Sequence, residues 1–321
     1  MRASTAHFKP LVLLGSLCLL MVCIAFATPL QSGAFSLPAP ARVRAKMVRV
    51  AAIQCPSIIG KLVQNRERLS ALIVEAARRG ARIVVLPECA VPGYMDARND
   101  ITWERATGNR SGSEDRPVAL VAERVPGPST KFFGELARTL SIYLSVPLIE
   151  DDRGKYYNCV VLIGPDGRIA ARHRKSNLWP PGDAGWASEG SGQPQVVATP
   201  YGRLGLMICY DVHVMPRRLK GKADIVLYSV GWYGPNTEDW FHERFPLEYV
   251  KPNAFAVIAA NWSAESADEA WQGAGYSSII DRDGTVLAVS TKTDGNDIII
   301  ADLPVRNADK APAPKTEPGD E

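Results

Sequence analysis

The chain has 321 residues, 46% of them hydrophobic and 22% charged, which is ordinary globular composition with length for a large core. Its formal net charge of +3 is too small and too evenly spread to imply a nucleic-acid partner, and no block of five or more like charges marks an interaction tail. Length alone suggests about two domains, although single-domain α/β sandwiches reach this size.

The N-terminus opens with Arg2 and Lys9, followed by an uncharged run from Leu11 to Ala27 that ends in Ala25-Phe26-Ala27. A basic start, an apolar run and a small-x-small site read as an export signal over residues 1–27, with periplasmic or extracellular delivery. At 17 residues the run also reaches the lower limit for a spanning helix, so an uncleaved membrane anchor is the alternative. Bulky Val22 before Cys23 argues against lipid attachment there. Residues 28–46, rich in Pro, Ala and Ser, read as a linker, and residues 305–321, without apolar pattern, as a disordered tail. Between them, residues 47–304 are expected to form one domain.

Loss of Cys18 and Cys23 with the signal leaves four of the six cysteines. No CxxC pair occurs and the chain has only four His, so no metal framework is expected. Export would permit disulfides, but Cys55, Cys159 and Cys209 lie at or within apolar runs, where isolated cysteines act as small buried hydrophobes.

From Met47 onward, strand and helix signals alternate. Val48 to Gln54 is strand-like, and Asn65 to Arg79 carries Leu69, Leu72, Ile73 and Ala76 at helical spacing before Gly80. Arg82 to Leu86 is a short β-branched run of the buried kind. A helix is predicted over Ser129–Leu140, then strands near Ile142–Ile149 and Tyr157–Ile163, with Pro165-Asp166-Gly167 turning into Arg168–His173. Further strands are predicted at Leu204–Cys209, Ala223–Ser229 and Ala254–Ala260, separated by helices near His213–Leu219 and Thr237–Val250. Ser277–Ile280 and Thr285–Val289 read as a hairpin around Asp281–Gly284, and Ile298–Ala301 as a last strand. Mixed strands with interleaved helices indicate a layered α/β fold, and no fixed-period repeat is visible.

Three polar features stand at the ends of apolar strands, where catalytic groups of open α/β sheets gather. Glu88, in Leu86-Pro87-Glu88-Cys89, is alone best read as a surface group, because Glu is rarely buried. Lys175, in His173-Arg174-Lys175-Ser176-Asn177-Leu178-Trp179-Pro180, could sit in a wet turn, but the apolar residues after it suggest that the segment returns to an apolar site. Cys209, in Gly205-Leu206-Met207-Ile208-Cys209-Tyr210-Asp211, has the layout of a nucleophile elbow, against the plainer reading of a core cysteine.

Taken in order, strand-end Glu88, strand-end Lys175 and strand-end Cys209 resemble the nitrilase superfamily of carbon–nitrogen hydrolases, over about Met47 to Pro304. Supporting matches are Gln54 and Pro56 after the opening strand, Gly93-Tyr94, Tyr156-Tyr157-Asn158, Lys175-x-x-Leu178, Asn253 with Ala260-Asn261, and Ser277 through Gly284. The resemblance implies a four-layer α-β-β-α sandwich and hydrolysis through a Cys209 thioester. A thiol is a poor nucleophile until deprotonated. Glu88 would take the thiol proton and pass it to the leaving amine, while Lys175 and the backbone N–H of Tyr210 would stabilise the oxyanion. Relatives add a second glutamate beyond the lysine; here Asp183 stands at the corresponding place in the aliphatic-amidase branch, with Glu189 the other acid nearby. A shorter Asp would have to reach further or leave room for a bulkier substrate.

Relatives also carry an Arg-Ala-x-Glu-Asn pattern on a helix used for dimer packing, where this chain reads Tyr249-Val250-Lys251-Pro252-Asn253. A homo-oligomer is expected, in an altered arrangement, with Pro252 ending the helix early. Trp179, Trp186, Trp232 and Tyr233 are candidates to line the substrate pocket, or else packing aromatics. No Gly-rich phosphate cradle occurs, so no nucleotide cofactor is implied. The expected substrate is a small amide; nitriles and carbamoyl compounds would use the same residues. Transfer of the thioester acyl group to an amine, and a non-catalytic binding module, are the readings from other classes.

Overall fold

The computed structural model describes residues 46–305 apart from 57, 95–116, 181, 233, 235 and 266–272. The proposed signal, nearly all of the linker, the tail beyond 305, and Tyr233 lie outside the described residues.

The first sheet is built from β1 (Met47–Gln54), β2 (Ile83–Val85), β3 (Tyr143–Asp152), β4 (Lys155–Ile163), β5 (Ile169–Arg174) and the late strand β12 (Asp297–Pro304), in the order β12-β1-β2-β3-β4-β5. The second is built from β6 (Val196–Thr199), β7 (Gly202–Ile208), β8 (Ile225–Ser229), β9 (Ala256–Ala260), β10 (Ser278–Ile280) and β11 (Val286–Val289), in the order β11-β10-β9-β8-β7-β6. Each sheet has a parallel three-stranded centre, β1-β2-β3 in one and β7-β8-β9 in the other, flanked by antiparallel strands.

Side chains of period two put successive residues of a strand on opposite faces. In β1, Val50 and Ala52 join Leu206, Ile208, Leu227 and Ile258 of the second sheet in a core between the two sheets. Ala51 and Ile53 face the other way, onto α1 (Leu62–Arg78) and, after the short α2 (Pro117–Val121), onto α3 (Pro128–Leu140), through Leu69, Ile73, Phe133 and Ala137. The outer face of the second sheet, with Met207, Val226, Tyr228 and Val257, is covered by α4 (Met215–Leu219) and by Phe241 and Phe245. The layers therefore run helix, sheet, sheet, helix, as the sequence led us to expect. Close approach is enforced at one point: a Cβ on Gly134 of α3 would lie 2.7 Å from the Gly167 carbonyl at the β4–β5 turn.

Three local features differ from expectation. Strand β6 was not foreseen; four residues after a Gln/Pro/Ser/Gly stretch give little pattern, and it forms only by pairing with β7. The helix expected over His213–Leu219 is two pieces, a 3-10 turn Cys209–His213 and then α4. The segment from Thr237 does not end before Asn253. It passes through two wide π-turns, Trp240–Arg244 and Pro246–Val250, and a 3-10 turn Lys251–Asn253 that contains Pro252. Proline lacks the N–H that a tight helical turn would use, so the backbone widens around Pro246, and Pro252 is tolerated in the first turn of the next element. Ala254, at φ 56°, closes the segment.

Candidate active site

The parallel centres of both sheets and the flanking strand β5 end at the same place. Three residues beyond β2 stands Glu88, directly after β5 stands Lys175, directly after β7 stands Cys209, just beyond β8 come Gly231 and Trp232, and just beyond β9 come Asn261 and Trp262. Backbone bonds tie these ends together: Glu88 N–H donates across the layers to the Val230 carbonyl at 3.1 Å, and Val230 N–H donates within the second sheet to the Ala260 carbonyl at 2.8 Å. The Trp262 indole Nε1 donates to the Glu88 carbonyl at 2.6 Å.

Glu88, Lys175 and Asp183 have no solvent exposure. Lys175 Nζ lies 2.9 Å from Glu88 Oε1 and 2.7 Å from Asp183 Oδ2, one ammonium between two carboxylates. Asn158 Nδ2, from β4, donates to Glu88 Oε1 at 2.7 Å and to Asp183 Oδ2 at 3.1 Å. Asp183 Oδ1 accepts the Trp179 N–H at 2.9 Å, so both of its oxygens are committed. The two acids thus differ. Glu88 Oε2 is buried and has no hydrogen-bond partner among the described residues.

That free oxygen faces the second sheet. A Cβ on Gly231 would lie 2.5 Å from it, and Gly231 lines the same cavity as Cys209. Cys209 is half-buried and sits at φ 37°, a left-handed conformation that costs a non-glycine residue about 1–2 kcal/mol. Its carbonyl accepts the Tyr228 hydroxyl at 2.9 Å, which helps hold the sharp turn. Strain of this kind gathers where a side chain must be presented rather than packed. Cys89, beside Glu88, is likewise left-handed at φ 49°.

Burial, with the Glu88 and Asp183 charges, pushes the Cys209 thiol well above its ordinary value, against the opposing pull of Lys175 and the Gly231 backbone. The resting thiol is therefore protonated and needs a base. Burial and the Asp183 charge also raise Glu88, despite Lys175 and Asn158. Burial alone would lower Lys175, but Glu88, Cys209 and Asp183 outweigh it and hold the ammonium firmly charged. A protonated thiol, a carboxylate of raised proton affinity with a free oxygen, and a fixed cation can carry out proton transfer and oxyanion stabilisation.

A cavity of about 160 Å³ opens beside Cys209, lined by Trp179, Tyr210, Gly231 and Trp232. Of the five residues proposed from sequence for substrate or oxyanion contact, Tyr210, Trp179 and Trp232 therefore meet at the thiol. Trp186 does not line it; it is buried in a neighbouring apolar cluster with Tyr94 and Trp262. Glu189 lies in a separate polar cleft with Tyr157 and Arg172, which leaves Asp183 as the second acid on Lys175. The four described cysteines are free thiols. Among the described residues no group of three or more His, Cys, Asp and Glu could hold a metal ion.

Residues 49–313 match the carbon–nitrogen hydrolase family model. The chain belongs to this family. Among curated members, the omega-amidase of Xenopus tropicalis is 30% identical over 237 residues, 70% of this chain and 78% of that protein. Two solved structures share the fold. One is an amidase from Nesterenkonia sp., with TM-score 0.64 and 18% identity over 84% of this chain and 95% of that one. The other is Nit3 of Saccharomyces cerevisiae, a member of branch 10 of the nitrilase superfamily, with TM-score 0.63 and 20% identity over 82% and 92%. The sandwich of this nitrilase-superfamily member is thus the one its strand-end residues implied.

Other parts of the site went unassigned in the sequence. Asn158 was noted only as a motif residue, yet it joins both carboxylates. Gly231 and Asn261 follow apolar strands just as Cys209 does, a signal that could have flagged them. The buried pair His173 and Asp211, 2.8 Å apart, was hidden because its members are 38 positions apart and flank the more conspicuous Lys175 and Cys209.

Proposed function

We propose that this carbon–nitrogen hydrolase is an amidase in which Cys209 is the nucleophile, Glu88 the general base and acid, and Lys175 the oxyanion partner. The observation that carries the roles is the free Oε2 of buried Glu88, turned toward the cavity that holds Cys209, while Oε1 is anchored by Lys175 and Asn158. In the first half-reaction the thiol proton passes to Glu88 Oε2 as sulfur bonds to the amide carbon, and the carbonyl oxygen takes up negative charge beside Lys175. Glu88 then gives its proton to the departing nitrogen, the C–N bond breaks, and a thioester and ammonia result. In the second, Glu88 takes a proton from water as that water attacks the thioester carbon. The C–S bond breaks, the acid is released, and the proton returns to sulfur. Asp183, with both oxygens committed, serves to hold Lys175 and the Trp179 backbone rather than to move protons.

Ammonia release from short amides, with an acyl adduct detected by mass on Cys209, tests the assignment. Loss of both in Cys209→Ala, with the fold retained by circular dichroism, is expected; ammonia release persisting in that variant would remove Cys209 from the mechanism.

Export guided by residues 1–27 and self-association complete the proposal. A mature N-terminus near Thr28 would support cleavage of the signal, whereas retention of Arg2 in the membrane fraction would favour an anchor. A sedimentation mass of one chain would exclude self-association.

A further inference from the structure

The wall of the cavity indicates which amides enter it. Trp232 is fixed twice over. Asn261 Oδ1 accepts its N–H at 2.8 Å and Asn261 Nδ2 donates to its carbonyl at 3.0 Å, while its ring stacks on Trp240 at 4.4 Å between centroids and 15° between planes. Trp179 is held by its N–H bond to Asp183, and its ring packs so closely on Gly182 that a Cβ there would lie 2.5 Å from Cε3. Each indole is thus backed from behind, Trp232 by Trp240 and Trp179 by Gly182, and presents its ring as a wall of the cavity.

Size and charge follow. A dry cavity of about 150 Å³ accepts benzene, so one of about 160 Å³ holds an acyl chain of roughly six heavy atoms. Among the described residues lining it none carries a charge. The ionised groups just behind it, Glu88, Asp183 and Lys175, sum to one negative charge, and the lysine is already shared by the two acids. A second carboxylate on the acyl chain would be desolvated against indole rings, with no cation free to meet it among the described residues that line the cavity.

Resting on the amidase reading above, we infer that the acyl site selects short, uncharged aliphatic amides and rejects monoamides of dicarboxylic acids. The two properties separate with a matched pair of substrates. Succinamate and 4-methylpentanamide have the same shape, one ending in a carboxylate and the other in an isopropyl group. With the full chain, kcat/KM for ammonia release is expected to be about 100-fold lower for succinamate. A difference smaller than tenfold, or a preference for succinamate, overturns the inference while leaving the hydrolase reading intact. No ammonia from any amide, together with a Cys209 inert to iodoacetamide, sinks the hydrolase reading and this inference with it. Trp232→Ala tests the wall: the ratio of kcat/KM for phenylacetamide to that for propionamide is expected to rise about tenfold or more. An unchanged ratio in a folded variant overturns the assignment of Trp232 as the limit on acyl size.

Discussion

His173 Nε2 and Asp211 Oδ2 lie 2.8 Å apart in the interior, between the strand that ends just before Lys175 and the turn that begins at Cys209. The other Asp211 oxygen, Oδ1, accepts three more bonds from the same segment: Ser176 N–H at 3.0 Å, Ser176 Oγ at 3.0 Å and Asn177 N–H at 2.9 Å. One carboxylate two residues after Cys209 therefore locks the lysine segment of the first sheet onto the cysteine turn of the second. Burial works against its charge, but His173, Lys175 and the Asn177 backbone more than compensate and hold it below the usual carboxylate range.

Asp211→Asn is expected to keep the three bonds to Oδ1 and lose the charge-assisted contact to His173. The loss should amount to about 1.5–3 kcal/mol, read from the urea midpoint. Because the substitution loosens the relation between Lys175 and Cys209 rather than the cavity wall, kcat should fall while KM changes little. A variant with unaltered kcat would show that the lock is structural only.

How far the sequence reached follows from where each group sits. Glu88, Lys175 and Cys209 close strands whose apolar runs are easily read, and their order along the chain carries the resemblance. Asp183 was harder, since it opens a short 3-10 turn (Asp183–Gly185) with no strand before it. Asn158 is masked by the apolar run Cys159–Ile163, and its role depends on β4 lying beside Lys175, whose N–H donates to the Asn158 carbonyl at 2.8 Å. The fixed Trp232 wall depends on Asn261 and Trp240, contacts between elements that no local pattern contains. Strand periodicity reports burial, whereas long-range polar pairing is visible only once the sheets are stacked.

On the proposed mechanism, the raised proton affinity of Glu88 sets the acid side of the pH profile. The base form is required, and it is lost as pH falls through a value above that of an exposed glutamate, about 4.3. Lys175 stays protonated well above its ordinary range and Asp211 stays ionised below its own, so neither should contribute a limb near neutrality. We expect kcat/KM to decline on acidification before an ordinary carboxylate would titrate. Glu88→Gln should lower kcat by about 10²–10⁴-fold and flatten that limb. An acid limb that persists unchanged in Glu88→Gln would assign it to another group.

Gly231 has a position that no side chain can share. A Cβ would lie 2.5 Å from Glu88 Oε2 and 2.9 Å from the Trp262 ring, both held in place, the latter by its bond to the Glu88 carbonyl. Gly231→Ala should cost about 1–3 kcal/mol of stability through overpacking. It should also depress kcat, because the displaced oxygen is the one assigned to proton transfer. Thermal melting and steady-state rates on the same preparation check both effects, and wild-type kcat would contradict the assigned position of Oε2.

Removing Lys175 gives a result that depends on pH in a defined direction. Without the ammonium, Glu88 and Asp183 remain as two buried carboxylates with no countercharge between them, a loss of about 3–5 kcal/mol near neutrality. Lys175→Met fills the same volume and isolates this electrostatic part. In the variant both carboxylates hold protons more tightly in the folded chain than in the unfolded one, so folding takes up protons. Stability should therefore rise as pH falls through the raised folded pKa values, opposite to the trend for a carboxylate stabilised by a partner. Urea midpoints at neutral and mildly acidic pH measure this: partial recovery on acidification is expected in Lys175→Met, and an equal deficit at both pH values would show that the loss is one of packing.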